Sequence, residues 1–340
     1  MKTLKDLLKD TPVTALHGDG STTVAALAYD SRAVTRSDCF FATRGTQSDG
    51  HDFIPDAVAK GASAVVCEQL PAETAHGVAY VVVPDAAGAL ADMAAAFYGH
   101  PSRELKLVGI TGTNGKTTTT SMVSEILLHA GTDPTLSIGG MLKSIGGNIR
   151  VGNTDLFVTE ACEYTNSFLS FFPRIGMILN IEEDHLDFFK DINDIRNSFH
   201  KFAKLLPADG CLIINGAIDK LQEITGDLDC RVITFNKEAV NSDGSAADYY
   251  PSDITYDELG YPSFTLHCHG EVSGSFSLQV PGEHNVCNAV ASIALADLLS
   301  IDRGITVSAL HDFTGTDRRF EYKGTIGGVT IIDDLSLIHI

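Results

Sequence analysis

Leu105-Lys-Leu-Val-Gly-Ile-Thr-Gly-Thr-Asn-Gly-Lys-Thr-Thr, residues 105–118, is the stretch that decides the fold. It reads as an apolar strand, a glycine-rich turn and the start of a helix whose Met122, Val123, Ile126 and Leu127 share one face. Strand, glycine turn and helix in that order form the context in which a loop binds phosphate. Glycine lets backbone N–H groups turn toward phosphate oxygens, and the helix N-terminus adds partial positive charge. Gly112, Thr113, Asn114, Gly115, Lys116, Thr117 and Thr118 are therefore candidate nucleotide contacts. Lys116 can reach the β and γ phosphates, and Thr117 can ligate Mg²⁺. The longer pattern GxxxxGK[ST] wants a glycine where this chain has Ile110, so only the shorter form G-T-x-G-K-T is met.

Downstream, Leu156-Phe-Val-Thr, Ile175-Gly-Met-Ile-Leu-Asn, Cys211-Leu-Ile-Ile and Arg231-Val-Ile-Thr-Phe read as buried strands separated by helical stretches. That alternation predicts a mostly parallel sheet covered on both faces. Residues 263–280 alternate like antiparallel strands, and a helix from about Asn285 to Ser300 closes the domain. Upstream, Cys39-Phe-Phe-Ala, Ala64-Val-Val-Cys and Val78-Ala-Tyr-Val-Val-Val alternate with helical segments, the last stopped by Gly99 and Pro101. The expected fold is α/β: a small α/β domain over residues 1–103 and a P-loop-type, mostly parallel sheet domain over residues 104–313. Residues 314–340 read as the truncated start of a third, Rossmann-like domain, with Val329-Thr-Ile-Ile as its first strand.

The chain has 340 residues and a net charge of −20, which argues against a nucleic-acid or anionic-membrane partner. No apolar run reaches the ~18 residues of a membrane span. Seven cysteines, an odd count with no CxxC pair, read as reduced thiols, so a cytoplasmic setting is expected.

Two acidic clusters stand at strand ends: Thr159-Glu-Ala-Cys-Glu and Asn180-Ile-Glu-Glu-Asp-His. In an open parallel sheet, ligands gather at the carboxyl ends of strands, so both clusters belong near the phosphate loop. A carboxylate and a histidine there can serve Mg²⁺, although Mg²⁺ prefers oxygen. On spacing alone His185 reads as a cap or loop histidine, Asn285 as a helix N-cap and Arg318-Arg319 as a solvated pair. Cys162, beside Glu160, reads as packing.

The loop Gly112-Thr-Asn-Gly-Lys-Thr-Thr-Thr resembles the ATP loop of the Mur ligases. Folylpolyglutamate synthases are also similar but typically carry Gly-Ser after the lysine. The acidic clusters resemble the Mur-ligase motifs E-A-x-E and N-I-x-x-D-H, and His284-Asn-Val-Cys-Asn resembles H-N-x-x-N. Asp317-Arg-Arg-Phe-Glu resembles the hinge element R-R-F-E. The resemblance implies metal binding by Thr117, Glu160 and His185, and nucleotide contacts from Asn180, Asn285 and Asn288. It implies that Arg319 reaches the γ-phosphate on domain closure, with Lys116, Glu160, His185 and Arg319 as the catalytic set. Asp334 matches a family aspartate at the nucleotide; beyond it, Leu335-Ser-Leu-Ile-His-Ile departs from the family, and the amino-acid pocket is expected to be missing.

Two branches of the family are represented. Residues 1 to about 120 resemble the branch that adds the third peptide residue, through Tyr29-Asp-Ser-Arg, Gly45-Thr, Asp49-Gly-His-Asp-Phe and Ala96-Phe-Tyr-Gly-His-Pro-Ser. From about residue 121 the chain resembles the alanine-adding branch, through Gly139-Gly, Gly146-Gly-Asn, Gly152-Asn-Thr-Asp and Phe313-Thr-Gly-Thr-Asp-Arg-Arg-Phe. Third-residue ligases carry a carbamylated lysine at a position that falls here on Phe199, which lies in an apolar stripe with Ile192, Ile195 and Phe202. The second domain thus favours alanine addition, and the switch between branches falls at the phosphate loop.

The resemblance implies ATP and Mg²⁺ as cofactors, and a UDP-N-acetylmuramic acid type nucleotide sugar plus a free amino acid as partners of a monomeric enzyme. Asp30, Ser31, Arg32, His51, Asn153 and Thr154 are the expected sugar-nucleotide contacts. L-Alanine addition through an acyl phosphate in peptidoglycan synthesis is the leading expectation. Lysine or diaminopimelate addition, a folylpolyglutamate-type reaction and an inactive nucleotide-binding fragment are the alternatives, and the truncated chain by itself is expected to be inactive.

Overall fold

Continuous runs of Val, Ile and Leu that are too short for helices form strands buried on both faces, and helices connect several of them. A computed structural model describes residues 2–45, 48–316 and 321–333. Contacts divide the chain into two compact units, Met1–Glu104 and Leu105–Ile340.

In the first unit, Lys2–Thr3 (β1) leads into helix Leu4–Leu7 (α1). Thr3 is the N-cap, and its hydroxyl accepts from the Asp6 N–H. Strand β1 pairs with Thr23–Val24 (β3). A five-stranded sheet takes Ala15–His17 (β2), Leu27–Ala28 (β4), Cys39–Phe41 (β5), Ala64–Cys67 (β6) and Ala79–Val82 (β7) in the order β2-β7-β6-β5-β4. All its pairings are parallel except β2 with β7. Helix Ile54–Ala59 (α2) covers one face, where Ile54 and Ala57 pack with Phe40 and Val65. Helix Ala86–Tyr98 (α3) covers the other, where Met93 packs with Phe41 and Val66. It stops at Gly99, whose φ of 82° suits a residue without Cβ.

The second unit is built on a ten-stranded sheet. Its strands are Lys106–Thr111 (β8), Thr135–Leu142 (β9), Gly147–Arg150 (β10), Leu156–Glu160 (β11), Ile175–Ile178 (β12), Cys211–Asn215 (β13), Arg231–Phe235 (β14), Tyr249–Tyr256 (β15), Pro262–Cys268 (β16) and Glu271–Ser277 (β17). The order is β10-β9-β11-β8-β12-β13-β14-β15-β16-β17. It is parallel from β9 to β15 and antiparallel at both edges.

Helices Lys116–His129 (α4), Glu283–Leu298 (α7) and Arg303–Asp312 (α8) pack on one face with Val108, Ile110 and Ile213. Helices Ile192–Ala203 (α5) and Leu221–Thr225 (α6) pack on the other with Ile178, Leu212 and Ile214. Strand β8 is central, and the helices that follow β8 and β12 lie on opposite faces, which makes its carboxyl end a topological switch point. Phe199 is fully buried, edge-on to Phe168, so the position expected to be core is core.

Three expectations are corrected. Helix α7 begins at Glu283 after Gly282, so Asn285 lies inside the helix and is not its N-cap. Val329–Asp333 (β19) pairs antiparallel with Glu321–Ile326 (β18), so it is the second strand of a hairpin and not the first of its segment. Cys162 is exposed rather than packed. All seven cysteines are free, and among the described residues no helix is long and apolar enough to cross a membrane.

Candidate nucleotide and metal site

The loop after β8 meets α4 at Gly115, whose φ is 84° and which offers no side-chain cap. Gly115 thus brings no side chain over the start of a 14-residue helix, and a helix start with its loop is an anion-binding arrangement. A Cβ at Gly115 would come within 2.8 Å of Asn288 Oδ1, so glycine is needed for close approach as well as for backbone angle. Behind the loop, Asn180 acts as a clamp. Its Oδ1 accepts from the Asn114 N–H at 2.7 Å, its Nδ2 donates to the Asn114 carbonyl at 3.0 Å, and its carbonyl accepts from Thr113 N–H at 3.2 Å. Asn180 therefore holds the loop backbone by hydrogen bonds at both ends of its amide.

Lys116, in the first turn of α4, folds back over the loop. Its Nζ donates to Gly112 O at 2.6 Å and to Thr113 O at 3.3 Å. It also lies 3.0 and 2.9 Å from the two oxygens of Glu163. Thr117 Oγ1 donates to Glu160 Oε2 at 3.1 Å, and Glu160 Oε1 accepts from Gly139 N–H at 2.5 Å. A Cβ at Gly139 would fall 2.7 Å from that carboxylate, which explains a glycine in mid-strand β9.

His185 has a left-handed backbone, φ 52°, a conformation in which histidine is among the more tolerant residues. Its ring lies 4.5 Å from the Tyr164 ring, and its Nε2 is 3.7 Å from Glu163 and 3.9 Å from Asp184. Tyr164 is itself fixed by its hydroxyl, which donates to Asp187 Oδ2 at 2.7 Å.

Thr117 and Glu160 together offer a hydroxyl and a carboxylate in mutual contact. That donor set fits Mg²⁺, which takes one or two protein oxygens and completes its shell with phosphate and water. Among the described residues there is no group of three His, Cys, Asp or Glu side chains able to hold a metal alone.

A cleft of about 590 Å³ opens beside the loop, within the range of nucleotide-sized sites. Its lining includes Asn114, Gly115, Thr118, Asn180 and Glu182 from around the loop, and His284, Asn285 and Asn288 from α7. Asn288 Nδ2 donates to Asn285 Oδ1 at 3.1 Å, and Asn285 Nδ2 donates to Pro281 O at 2.8 Å. The two asparagines are thereby locked to each other and to the turn before α7.

In the first unit, Asp30 to Arg32 follow β4 and His51 follows β5, so both loops leave the carboxyl ends of adjacent parallel strands. Arg32 donates through Nε and Nη2 to the Asp30 carboxylate, holding it down at about 2. Ser31 gives its carbonyl to Lys60 Nζ at 2.8 Å. His51 has both ring nitrogens engaged: Nδ1 with Asp49 Oδ1 at 2.6 Å, and Nε2 accepting from the Glu68 N–H at 3.0 Å.

Asn153 and Thr154, expected at the sugar nucleotide, stand apart from the phosphate loop. Asn153 donates through N and Nδ2 to Asp133 Oδ2, and Thr154 Oγ1 donates to the carbonyls of Thr132 and Asp133. They tie the segment before β11 to the segment before β9, whereas Glu160 ends β11; at ~3.3 Å per residue the two ends of that strand lie ~20 Å apart. Arg319 and Asp334 lie outside the described residues. In the sequence Glu163 is only one member of an acidic cluster; its contact with Lys116, 47 positions away, is visible only in three dimensions.

A glycine loop with a lysine folded over it, leading from the carboxyl end of a parallel strand into a helix, is the architecture of a P-loop domain. The Mur ligase middle domain matches residues 110–296, and a second region described as the Mur ligase family catalytic domain matches residues 23–98. The chain belongs to the Mur ligase family.

Over 227 residues it is 57% identical to the UDP-N-acetylmuramate–L-alanine ligase of Lachnospira eligens, covering 67% of this chain and 48% of that one. The chain thus spans about half the length of the curated relatives it matches. Among solved structures it resembles MurF from Acinetobacter baumannii, with a TM-score of 0.74 and 24% identity over 98% of this chain and 72% of that one. It also resembles the MurF ligase from Thermotoga maritima in complex with ADP, with a TM-score of 0.68 and 21% identity over 92% of this chain and 70% of that one.

Proposed function

We propose that this chain carries the ATP-binding and UDP-sugar-binding parts of a cytoplasmic, monomeric ligase that joins L-alanine to UDP-N-acetylmuramic acid for peptidoglycan synthesis. One observation carries the reading: Lys116, Thr117 and Glu160 come together at the start of α4, next to Gly115 and Thr118, which line the cleft. The name of the L. eligens relative supports the choice of substrate, and the ADP in complex with the T. maritima ligase supports the choice of nucleotide.

In this reading the α4 N–H groups and Lys116 bind the β and γ phosphates, and Asn180 keeps the loop in the shape that aims them. Asn285 and Asn288 face the rest of the nucleotide along the cleft. Thr117 and Glu160 would hold Mg²⁺, with His185 as a further ligand; when bound, Mg²⁺ neutralises charge on the transferring phosphoryl group. Arg319 would add a contact to the γ-phosphate, and Asp334 one to the nucleotide. The muramyl carboxylate oxygen attacks the γ-phosphorus and ADP leaves. The alanine amine then attacks the acyl carbon, loses a proton, and phosphate leaves. No protein nucleophile is required, so Cys162 has no covalent role.

Asp30, Ser31, Arg32 and His51 are the sugar-nucleotide contacts of the first unit in this reading. Arg32, whose side chain is 88% exposed, is free to exchange Asp30 for a diphosphate. A second reading, UDP-muramyl-dipeptide as substrate, is favoured by Tyr29-Asp-Ser-Arg and Asp49-Gly-His-Asp-Phe in the first unit. Thermal unfolding with UDP-N-acetylmuramate, its dipeptide and folate, each beside ATP and Mg²⁺, tests these. A rise in melting temperature with UDP-N-acetylmuramate supports the reading. A rise with the dipeptide alone selects the second, and a rise with folate alone overturns both.

A further inference from the structure

Glu163 is almost fully buried, and its carboxylate faces two residues expected to work on the nucleotide. Both of its oxygens lie within 3.0 Å of Lys116 Nζ, and Oε1 is 3.7 Å from His185 Nε2. An ammonium has three N–H donors and no acceptor. Here they are directed to Gly112 O, Thr113 O and Glu163, so in this state Lys116 is saturated by the protein itself. A phosphate can reach Lys116 only by sharing or replacing one of these partners. The two carbonyls belong to the loop and move with it. Glu163 comes from another segment, between β11 and β12, and is the partner that can be exchanged.

We propose that Glu163 is a latch on the loop lysine: it holds Lys116 in the nucleotide-free state and competes with the terminal phosphate for it. Charge makes the competition strong. A buried carboxylate and a triphosphate repel, so a single Lys116 cannot satisfy both at full strength. Tyr164, the next residue, packs its ring at a tilt against His185, so Glu163 and Tyr164 touch Lys116 and His185 from one short segment. Glu163 is thus a positioning residue that acts through Lys116. The proposal rests on the reading of the loop as an ATP site.

The Glu163→Gln variant tests it, because it keeps the shape and removes the charge. A latch closed about nine-tenths of the time weakens apparent affinity about tenfold, so its removal should tighten ATP binding about tenfold. The measurement is titration calorimetry of the full chain, wild type and variant, with ATP in the presence of Mg²⁺. Tighter binding by the variant supports the latch, because structural damage at a binding site weakens affinity and does not raise it. Equal or weaker binding overturns the latch. If Glu163→Gln does not fold, as judged by circular dichroism, Glu163→Asp, which draws the carboxylate back from Lys116, supplies the same two outcomes. A wild-type chain that binds no ATP overturns the nucleotide-site reading itself, and is thereby told apart from failure of the latch.

Discussion

Thr117 Oγ1 donates to Glu160 Oε2 at 3.1 Å, joining the first turn of α4 to the last residue of β11. The pair is two oxygens at a strand end and a helix start, and each is set by backbone that cannot shift without disturbing the sheet. If they hold Mg²⁺, Thr117→Val and Glu160→Ala should each remove most of the gain in ATP affinity that Mg²⁺ gives the wild type. Binding titrations with and without Mg²⁺ read this directly. An undiminished Mg²⁺ effect in both variants would place the metal elsewhere.

Phe199 packs edge-on against Phe168 in a fully buried layer with Phe202. Phe199→Ala should lower stability by about 3–5 kcal/mol, the range for deleting a buried ring, as measured by urea unfolding. A loss under about 1 kcal/mol would mean that this side chain is not a core element.

Asp30 is held at about 2, below its ordinary 3.8, chiefly by hydrogen bonds from the Arg32 guanidinium. A depressed carboxylate favours the folded chain at pH above the ordinary value and loses that contribution as pH falls through 4 toward 2. Both groups are at the surface, so the effect on stability is small. An NMR pH titration of Arg32→Ala should show Asp30 returning toward its ordinary value. A midpoint unchanged near 2 would assign the shift to another partner.

Burial pushes the thiols of Cys67 and Cys211 up to about 11 and that of Cys39 higher still, whereas Cys162 is exposed. A thiol reagent at neutral pH should therefore modify Cys162 quickly and the other three only on unfolding, because the thiolate is the reactive form. Peptide mapping by mass spectrometry checks the order. Fast labelling of Cys39 in the folded chain would contradict the packing of β5.

The strand, loop and helix at 105–129 were legible because buried parallel strands are continuous apolar runs and because a glycine turn before a helix has few other readings. Strands β9 and β10 were not. Gly139-Gly140 and Gly146-Gly147 interrupt any apolar period, and the reason for Gly139 is the approach of Glu160 from 21 residues away. Strand β15 carries Pro251 and Asp253 near the antiparallel edge and lacks the signature of a buried strand. The bonds of Asn153 and Thr154 to Thr132 and Asp133, about twenty positions earlier, likewise depend on the fold and leave no local pattern. The contact of Glu163 with Lys116 depends on a fold that joins positions 47 residues apart, and no local pattern encodes that.

The central claim is that Lys116 binds the phosphates of ATP. Titration calorimetry of wild type and Lys116→Ala with ATP and Mg²⁺ tests it most directly. Loss of charge-assisted hydrogen bonds predicts affinity weakened about 10- to 100-fold. Equal affinity in the two proteins would contradict the account.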